Sequence, residues 1–67
     1  MEAKVVQKRG RKTPNGYESR YELRMGRSGT GKLIASVIYW PWSGKSIEAA
    51  ERTIQAAARQ AGVEVIW

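Results

Sequence analysis

Nine consecutive residues, Tyr17 to Met25, alternate strictly between two kinds of side chain. One face carries Tyr17, Ser19, Tyr21, Leu23 and Met25, and the other carries Glu18, Arg20, Glu22 and Arg24. Because side chains alternate across a β-strand, this stretch predicts a strand with one buried face and one wet face. Such a strand needs sheet partners and a cover for its apolar face, and the flanking segments must supply both.

Two further strands are predicted around it. Lys4 to Lys8 is β-branched at its centre and predicts a short first strand. Pro14-Asn15-Gly16 predicts the turn that follows, since proline presets the turn and Asn-Gly tolerates positive φ. Leu33 to Trp40 is apolar on both faces, which is typical of a strand at the centre or in the best-covered part of a sheet, and Pro41 ends it.

A helix follows these strands. Ser46 is its expected N-cap and Gly62 its expected terminator. Apolar residues recur at helical spacing in one stripe: Ile47, Ala50, Ile54, Ala57, Ala58 and Ala61. We therefore expect a single α+β domain over residues 1–67, a three-stranded antiparallel sheet (β-β-β-α) with one helix packed on one face.

The last five residues leave two alternatives open. Val63–Trp67 is strand-like. It either adds a short fourth strand to the sheet or offers an apolar edge to a second copy of the chain, which would make a homodimer.

Composition excludes several classes of protein. The 67 residues include no Cys and no His, so neither disulfides nor an ordinary zinc site can reinforce the small core. Asp is absent too, which removes the usual proton shuttles and nucleophiles, and we expect no enzyme activity, no metal and no cofactor. The longest apolar run, Leu33 to Trp42, is shorter than the about 20 residues that a bilayer requires. We expect no membrane association and a cytoplasmic protein, nucleoid-associated if it binds DNA.

The excess of positive over negative charge is confined to the first half of the chain. Residues 1–32 carry nine basic and three acidic side chains, whereas residues 33–67 carry three of each. A split of this kind favours a surface that meets an anionic partner, most simply nucleic acid phosphate. The alternative is a mixed charged surface that serves solubility alone.

Gly26 to Lys32 matches seven of the eight positions of a phosphate-binding P-loop. The eighth must be Ser or Thr, and here it is Leu33, which also begins a predicted strand where a P-loop requires a helix. The segment is therefore expected to be a hairpin loop. Either it is only a flexible connection, or its backbone N–H groups with Arg27 and Lys32 contact a nucleic acid backbone.

The candidate nucleic-acid contacts lie on the second strand and in the two hairpins. They are Arg9, Arg11, Lys12, Arg20, Arg24, Arg27 and Lys32. Glu18 and Glu22 share the strand face with Arg20 and Arg24, and either accept from cytosine amino groups or pair with these arginines. Trp42 either stacks on a base or packs over the helix start, whereas Trp40 and Tyr17 are expected in the core.

Two resemblances follow from these segments. Basic hairpins before a third strand and the helix start Ser46-Ile47-Glu48-Ala49-Ala50-Glu51 resemble the three-stranded-sheet DNA-binding fold of AP2 domains and phage integrase arm-binding domains, over residues 4–62. That resemblance implies DNA contacts from the sheet, through Arg20, Arg24 and the hairpin arginines. Trp40 to Lys45 and Val63–Trp67 depart from it. Residues 31–36 with the following helix are similar to small YegP-like domains, which implies a comparable fold and no settled activity.

The sequence thus favours a small non-enzymatic protein that binds duplex DNA with a basic sheet face and hairpin loops. A module that docks an acidic protein, as an inhibitor or assembly factor, is the first alternative. Sequence-independent binding of RNA or single-stranded DNA is the second.

Overall fold

The computed structural model describes all residues from 1 to 67 as one four-stranded sheet with a helix on one face. The elements in chain order are β1 (Glu2–Thr13), β2 (Gly16–Met25), β3 (Leu33–Tyr39), α1 (Gly44–Ala61) and β4 (Glu64–Ile66). The strand order is β3-β2-β1-β4. Neighbours are antiparallel except β4, which runs parallel to β1. The predicted α+β fold is confirmed, and Val63–Trp67 supplies the fourth strand.

The β1–β2 hairpin is longer than predicted and extends past the rest of the sheet. β1 continues to Thr13 because its basic residues pair with β2, with one bulge between Arg9 and Lys12. The turn closes at Gly16, whose φ of 117° suits glycine. The β2–β3 ladder ends at the pair Ser19 and Tyr39. Beyond that pair the hairpin is a two-stranded ribbon, whose charged side chains are Arg11, Lys12 and Glu18.

The prediction that β3 is a central strand is wrong. β1 pairs with β2 on one side and β4 on the other, which leaves β3 at an edge of the sheet. Its apolar residues Leu33 and Ile38 are accordingly exposed on the face that the helix does not cover. The apolar run reflected strand propensity and partial burial rather than a central position.

The helix begins earlier than predicted. Ser43, not Ser46, is the N-cap, and its side chain accepts a hydrogen bond from the Ser46 N–H. The Ser46 hydroxyl instead accepts from the Trp40 N–H at 2.9 Å, which ties the helix start to the end of β3. Gly62 ends the helix in the left-handed conformation, as predicted. The helix is not long and apolar enough to cross a membrane.

The core lies between the helix and one sheet face. Leu23 and Ile54 are its largest fully buried side chains, packed with Ala3, Val5 and Ala58. Alanines on the helix stripe allow it to approach the sheet closely. Beside this core, Tyr21 stacks on Tyr39 with ring centroids 4.4 Å apart. Burial is the largest cause that raises the pKa of Tyr21 to about 12, followed by its hydrogen bond with Tyr39. The Tyr21 phenol is neutral at physiological pH.

Candidate nucleic-acid interface

The sheet face opposite the helix, here called the open face, carries most of the candidate contacts on the strands. Ala3 and Val5 on β1 and Leu23 on β2 point into the core. The residues next to them along each strand therefore point to the open face, because side chains alternate across a strand. The charged strand side chains of the open face are Lys4, Lys8, Arg11, Arg20 and Arg24, together with Glu2, Glu18, Glu22 and Glu64. Five are basic and four are acidic, and Glu2 and Glu64 lie at the β1–β4 end, so the positive excess lies toward the hairpin tip.

Glu22 lies beneath three of these cations. Its carboxylate is only 4% exposed and sits 3.0 Å from Arg24 Nε, 3.1 Å from Arg20 Nη2 and 3.4 Å from Lys8 Nζ. Burial by itself would raise the pKa of Glu22, but hydrogen bonds and charge from Arg24 and Lys8 outweigh it and hold the pKa below its usual value. Glu22 is therefore an anchor that orients the cations, while the charge presented to solvent is theirs.

Glu18 repeats this arrangement near the hairpin tip. It is 6% exposed and 3.4 Å from Arg11 Nε. The bulge places Gly10 directly across from it, where a side-chain Cβ would lie 3.1 Å from the Glu18 Cβ. The Glu18 Oε1 atom accepts no hydrogen bond within the chain, and the Nε–H group of Arg20 donates none. The open face thus keeps unused hydrogen-bonding capacity beside its cations.

The Gly26–Lys32 loop covers the other end of the open face. It joins β2 to β3, as predicted, and no helix follows it. Arg24 Nη1 donates to the Gly31 carbonyl at 2.9 Å, and Gly29 lies against Val6 and Lys4. The side chain of Arg24 is consequently 25% exposed, compared with 41% for Arg20. The accessible part of the open face is the half nearer the hairpin tip.

Aromatic and basic side chains meet on the other face of the hairpin. The Arg9 guanidinium lies 4.9 Å from the centre of the Tyr17 ring. Trp42 packs against Gly16, and its ring centre is 4.9 Å from that of Trp40. We call Tyr17, Trp40, Pro41 and Trp42 the aromatic shelf. The prediction that Trp40 and Tyr17 belong to the core is wrong. The helix does not extend over the hairpin tip, and both rings are exposed.

The structure divides the predicted contacts among three places. Arg11, Arg20 and Arg24 share the open face. Arg9, Lys12 and Trp42 lie at the aromatic shelf, Lys12 through its register with Tyr17. Arg27 and Lys32 are exposed at the opposite end of the sheet, where Arg27 pairs with Glu2 at 3.0 Å. The seven cations therefore do not form one cluster.

Lys4 and Lys8 were missed as members of the open face. A period-two signal was present, since Ala3 and Val5 flank Lys4 and point inward. Val6 broke that pattern by placing an apolar residue on the charged side, where the Gly29 backbone covers it.

The chain matches no protein-family model. Searches of curated proteins and of solved structures also gave no significant match. The function must therefore be inferred from the geometry of the chain itself.

Proposed function

We propose that this chain is a non-enzymatic protein that binds duplex DNA with its open face, inside the cell and in contact with the nucleoid. One observation carries the proposal. The two carboxylates that β2 places on the open face, Glu18 and Glu22, are buried beside its arginines and Lys8, so that a duplex approaching this part of the face meets positive charge. An interleaved face with exposed glutamates would repel phosphate at every second position.

The dimensions support the same partner. A ten-residue strand such as β2 spans about 30 Å, close to one helical turn of duplex DNA. Lys8, Arg11 and Arg20 at one half and Arg27 and Lys32 at the far end can then meet separate phosphates. Arginine on a sheet also suits bidentate contact with guanine. The two-stranded hairpin tip has the width of a β-ribbon that the major groove admits.

The test compares two double variants that each remove two positive charges. Lys8→Gln with Arg20→Gln removes two cations from the open face, and Arg24 stays 3.0 Å from Glu22 to keep it paired. Arg52→Gln with Arg59→Gln removes two cations from the exposed side of the helix. Affinity for a fluorescent 16-base-pair duplex is measured across a salt series, with circular dichroism to confirm folding.

We expect the open-face variant to bind at least about ten-fold more weakly at low salt. Its log–log salt slope should be shallower by about 2, one unit for each phosphate that the removed cations neutralise in the parent. The helix variant should bind as the parent does. Equal weakening in both variants would mean that net charge alone acts, and no duplex binding at low salt would favour an acidic protein partner instead.

A homodimer through Val63–Trp67 is a separate proposal. β4 pairs with β1 on one side, and its outer edge faces no strand. A second copy could pair there, although the strand has only three residues. Sedimentation of the full chain tests this directly, since a monomer at millimolar concentration contradicts it.

A further inference from the structure

The aromatic shelf exposes ring surface that a chain of this size would ordinarily bury. Tyr17 is 44%, Trp40 36% and Trp42 56% exposed. All three tryptophans thus lie outside a core whose largest fully buried side chains are Leu23 and Ile54, and two of the three belong to the shelf. Contiguous exposed aromatic surface of this kind commonly marks a binding site.

The rings of the shelf are held in place. The Trp40 N–H donates to the Ser46 hydroxyl, and the Trp40 carbonyl accepts from the Ser43 N–H at 3.1 Å. On the hairpin side, a Cβ on Gly16 would lie 3.2 Å from the Trp42 ring. The turn and the helix start therefore fix the shelf before any ligand arrives, which lowers the entropy cost of binding.

The chemistry around the rings is cationic and polar. Arg9 lies over Tyr17, and Lys12 pairs with Tyr17 in the strand register. An open cleft of about 380 Å³ separates the hairpin from Pro41. It is lined mostly by polar residues, namely Gln7, Lys8, Arg9, Tyr17, Glu18, Ser19 and Pro41. An apolar ligand is a poor fit to such a cleft, whereas a planar ring attached to an anion matches both features.

We propose that the aromatic shelf binds an unpaired base of single-stranded nucleic acid, stacked on Trp42, with Arg9 and Lys12 on the adjoining phosphates. Exposed rings beside a cationic track are how proteins hold single strands without reading their sequence. A second copy of this chain fits less well, because each copy carries a net charge of +6. The rings of the shelf and the open face lie on opposite sides of the hairpin, and Lys8 and Glu18 are the open-face residues that line the cleft. Stacking on Trp42 therefore does not depend on the duplex site.

The experiment separates stacking from charge by changing the ligand. The unaltered protein is titrated with a fluorescent eight-nucleotide oligothymidine, and with an abasic strand that has the same phosphates and no bases. We expect the abasic strand to bind roughly 5- to 150-fold more weakly, the range for one stacked base. Trp42→Ala should reduce affinity for oligothymidine by a similar factor and leave binding of the abasic strand unaffected.

Trp67→Ala is the matched control, since Trp67 is also half exposed but lies edge-on to Tyr21, away from the shelf. It should keep the parent's affinity for oligothymidine. Arg20→Gln alone, at a residue that does not line the cleft, should weaken duplex binding and leave the preference for oligothymidine over the abasic strand unchanged. Failure of the duplex site and failure of the shelf are thereby distinguished.

Three results would overturn the proposal. Equal affinity for the abasic and base-bearing strands would show that the shelf does not stack. Displacement of oligothymidine by oligoglutamate at equal charge concentration would point to an acidic polypeptide. Concentration-dependent dimers that Trp42→Ala abolishes would show that a second copy covers the rings.

Discussion

At the scale of single residues, Glu22 determines the character of the open face. Sequence alternation places it on the wet side of β2, yet it is one of the most buried charged side chains of the chain. Lys8, Arg20 and Arg24 converge on it, and together they compensate its desolvation. A carboxylate in this position sets where the cations stand, which a neutral side chain would not do.

The lowered pKa of Glu22 predicts an acid-sensitive fold. Burial raises this pKa, but Arg24 and Lys8 lower it by more than burial raises it. The folded chain therefore binds the proton on Glu22 less readily than the unfolded chain does. The resulting stability is present above the ordinary glutamate pKa of about 4.3 and is lost as pH falls through the folded value. We expect the urea concentration at the unfolding midpoint to decrease as the pH is lowered below about 4.3, and to decrease less in Glu22→Gln.

The control for this measurement is Glu48→Gln, which changes an exposed glutamate of the helix. It should keep the parent's pH dependence. If Glu22→Gln showed the full acid dependence, or if both variants flattened it equally, Glu22 would not be the group responsible.

At the scale of elements, the Gly26–Lys32 loop is a fixed cover rather than a loose connection. The Met25 N–H donates to the Lys32 carbonyl, and the Gly26 N–H donates to the Glu2 carbonyl, both at 2.9 Å. A Cβ at Gly31 would overlap the Met25 carbonyl oxygen. Because that neighbour is backbone, the loop would have to move away from Arg24, whose guanidinium donates to the Gly31 carbonyl.

Gly31→Ala should therefore destabilise the fold by about 1–3 kcal/mol, the usual cost of an overpacked site. Gly44→Ala is the matched control, since Gly44 starts the helix and a Cβ there meets nothing within 4 Å. It should be neutral or stabilise by up to about 1 kcal/mol through helix propensity. Urea denaturation measures both, and equal effects would mean that the loop yields freely.

The elements also show what sequence patterns can predict. The alternation of β2, the Gly62 terminator and the helix stripe were visible because each depends on neighbours within a few residues. The edge position of β3 was not, since strand order depends on which partners β1 takes. The exposure of Tyr17 and Trp40 follows from how far the hairpin extends past the helix, and no local pattern records that distance.

The same limit applies to the candidate site. Charge alone identified the basic residues. It could not divide them between the open face, the aromatic shelf and the far loop, because that division depends on the strand register and on the bulge between Arg9 and Lys12. The burial of Glu18 and Glu22 was also hidden, because long arginine side chains from neighbouring strands cover them.

At the scale of the whole molecule, the chain is a thin slab of 39 × 22 × 14 Å, elongated along the hairpin. The helix covers one face of the sheet, so the basic first half of the sequence supplies the other face and the protruding tip. The helix side carries cations too, among them Arg9 and Lys12, so net charge does not distinguish the two sides of the slab. The open face differs in the separation of its buried carboxylates, Glu18 and Glu22, from its more exposed cations. The proposed duplex site depends on that separation and not on net charge.

This separation predicts how DNA changes thermal stability. The unfolded chain carries the same +6 charge as the folded one, so a polyanion raises the melting temperature only if the folded arrangement binds it more tightly. At a duplex concentration near 100 Kd, one-site linkage supplies about 2.7 kcal/mol, which corresponds to a rise of roughly 10–20 °C for a domain of this size. Scanning calorimetry should show that rise at about 50 mM salt and its disappearance at about 0.5 M, because counterion release weakens the complex.

The charge variants test whether the open face causes this rise. Lys8→Gln with Arg20→Gln should show a smaller rise than Arg52→Gln with Arg59→Gln. A melting temperature that DNA leaves unchanged or lowers would mean that the unfolded chain binds DNA at least as tightly as the folded one, and that the open face adds nothing to the charge of its cations.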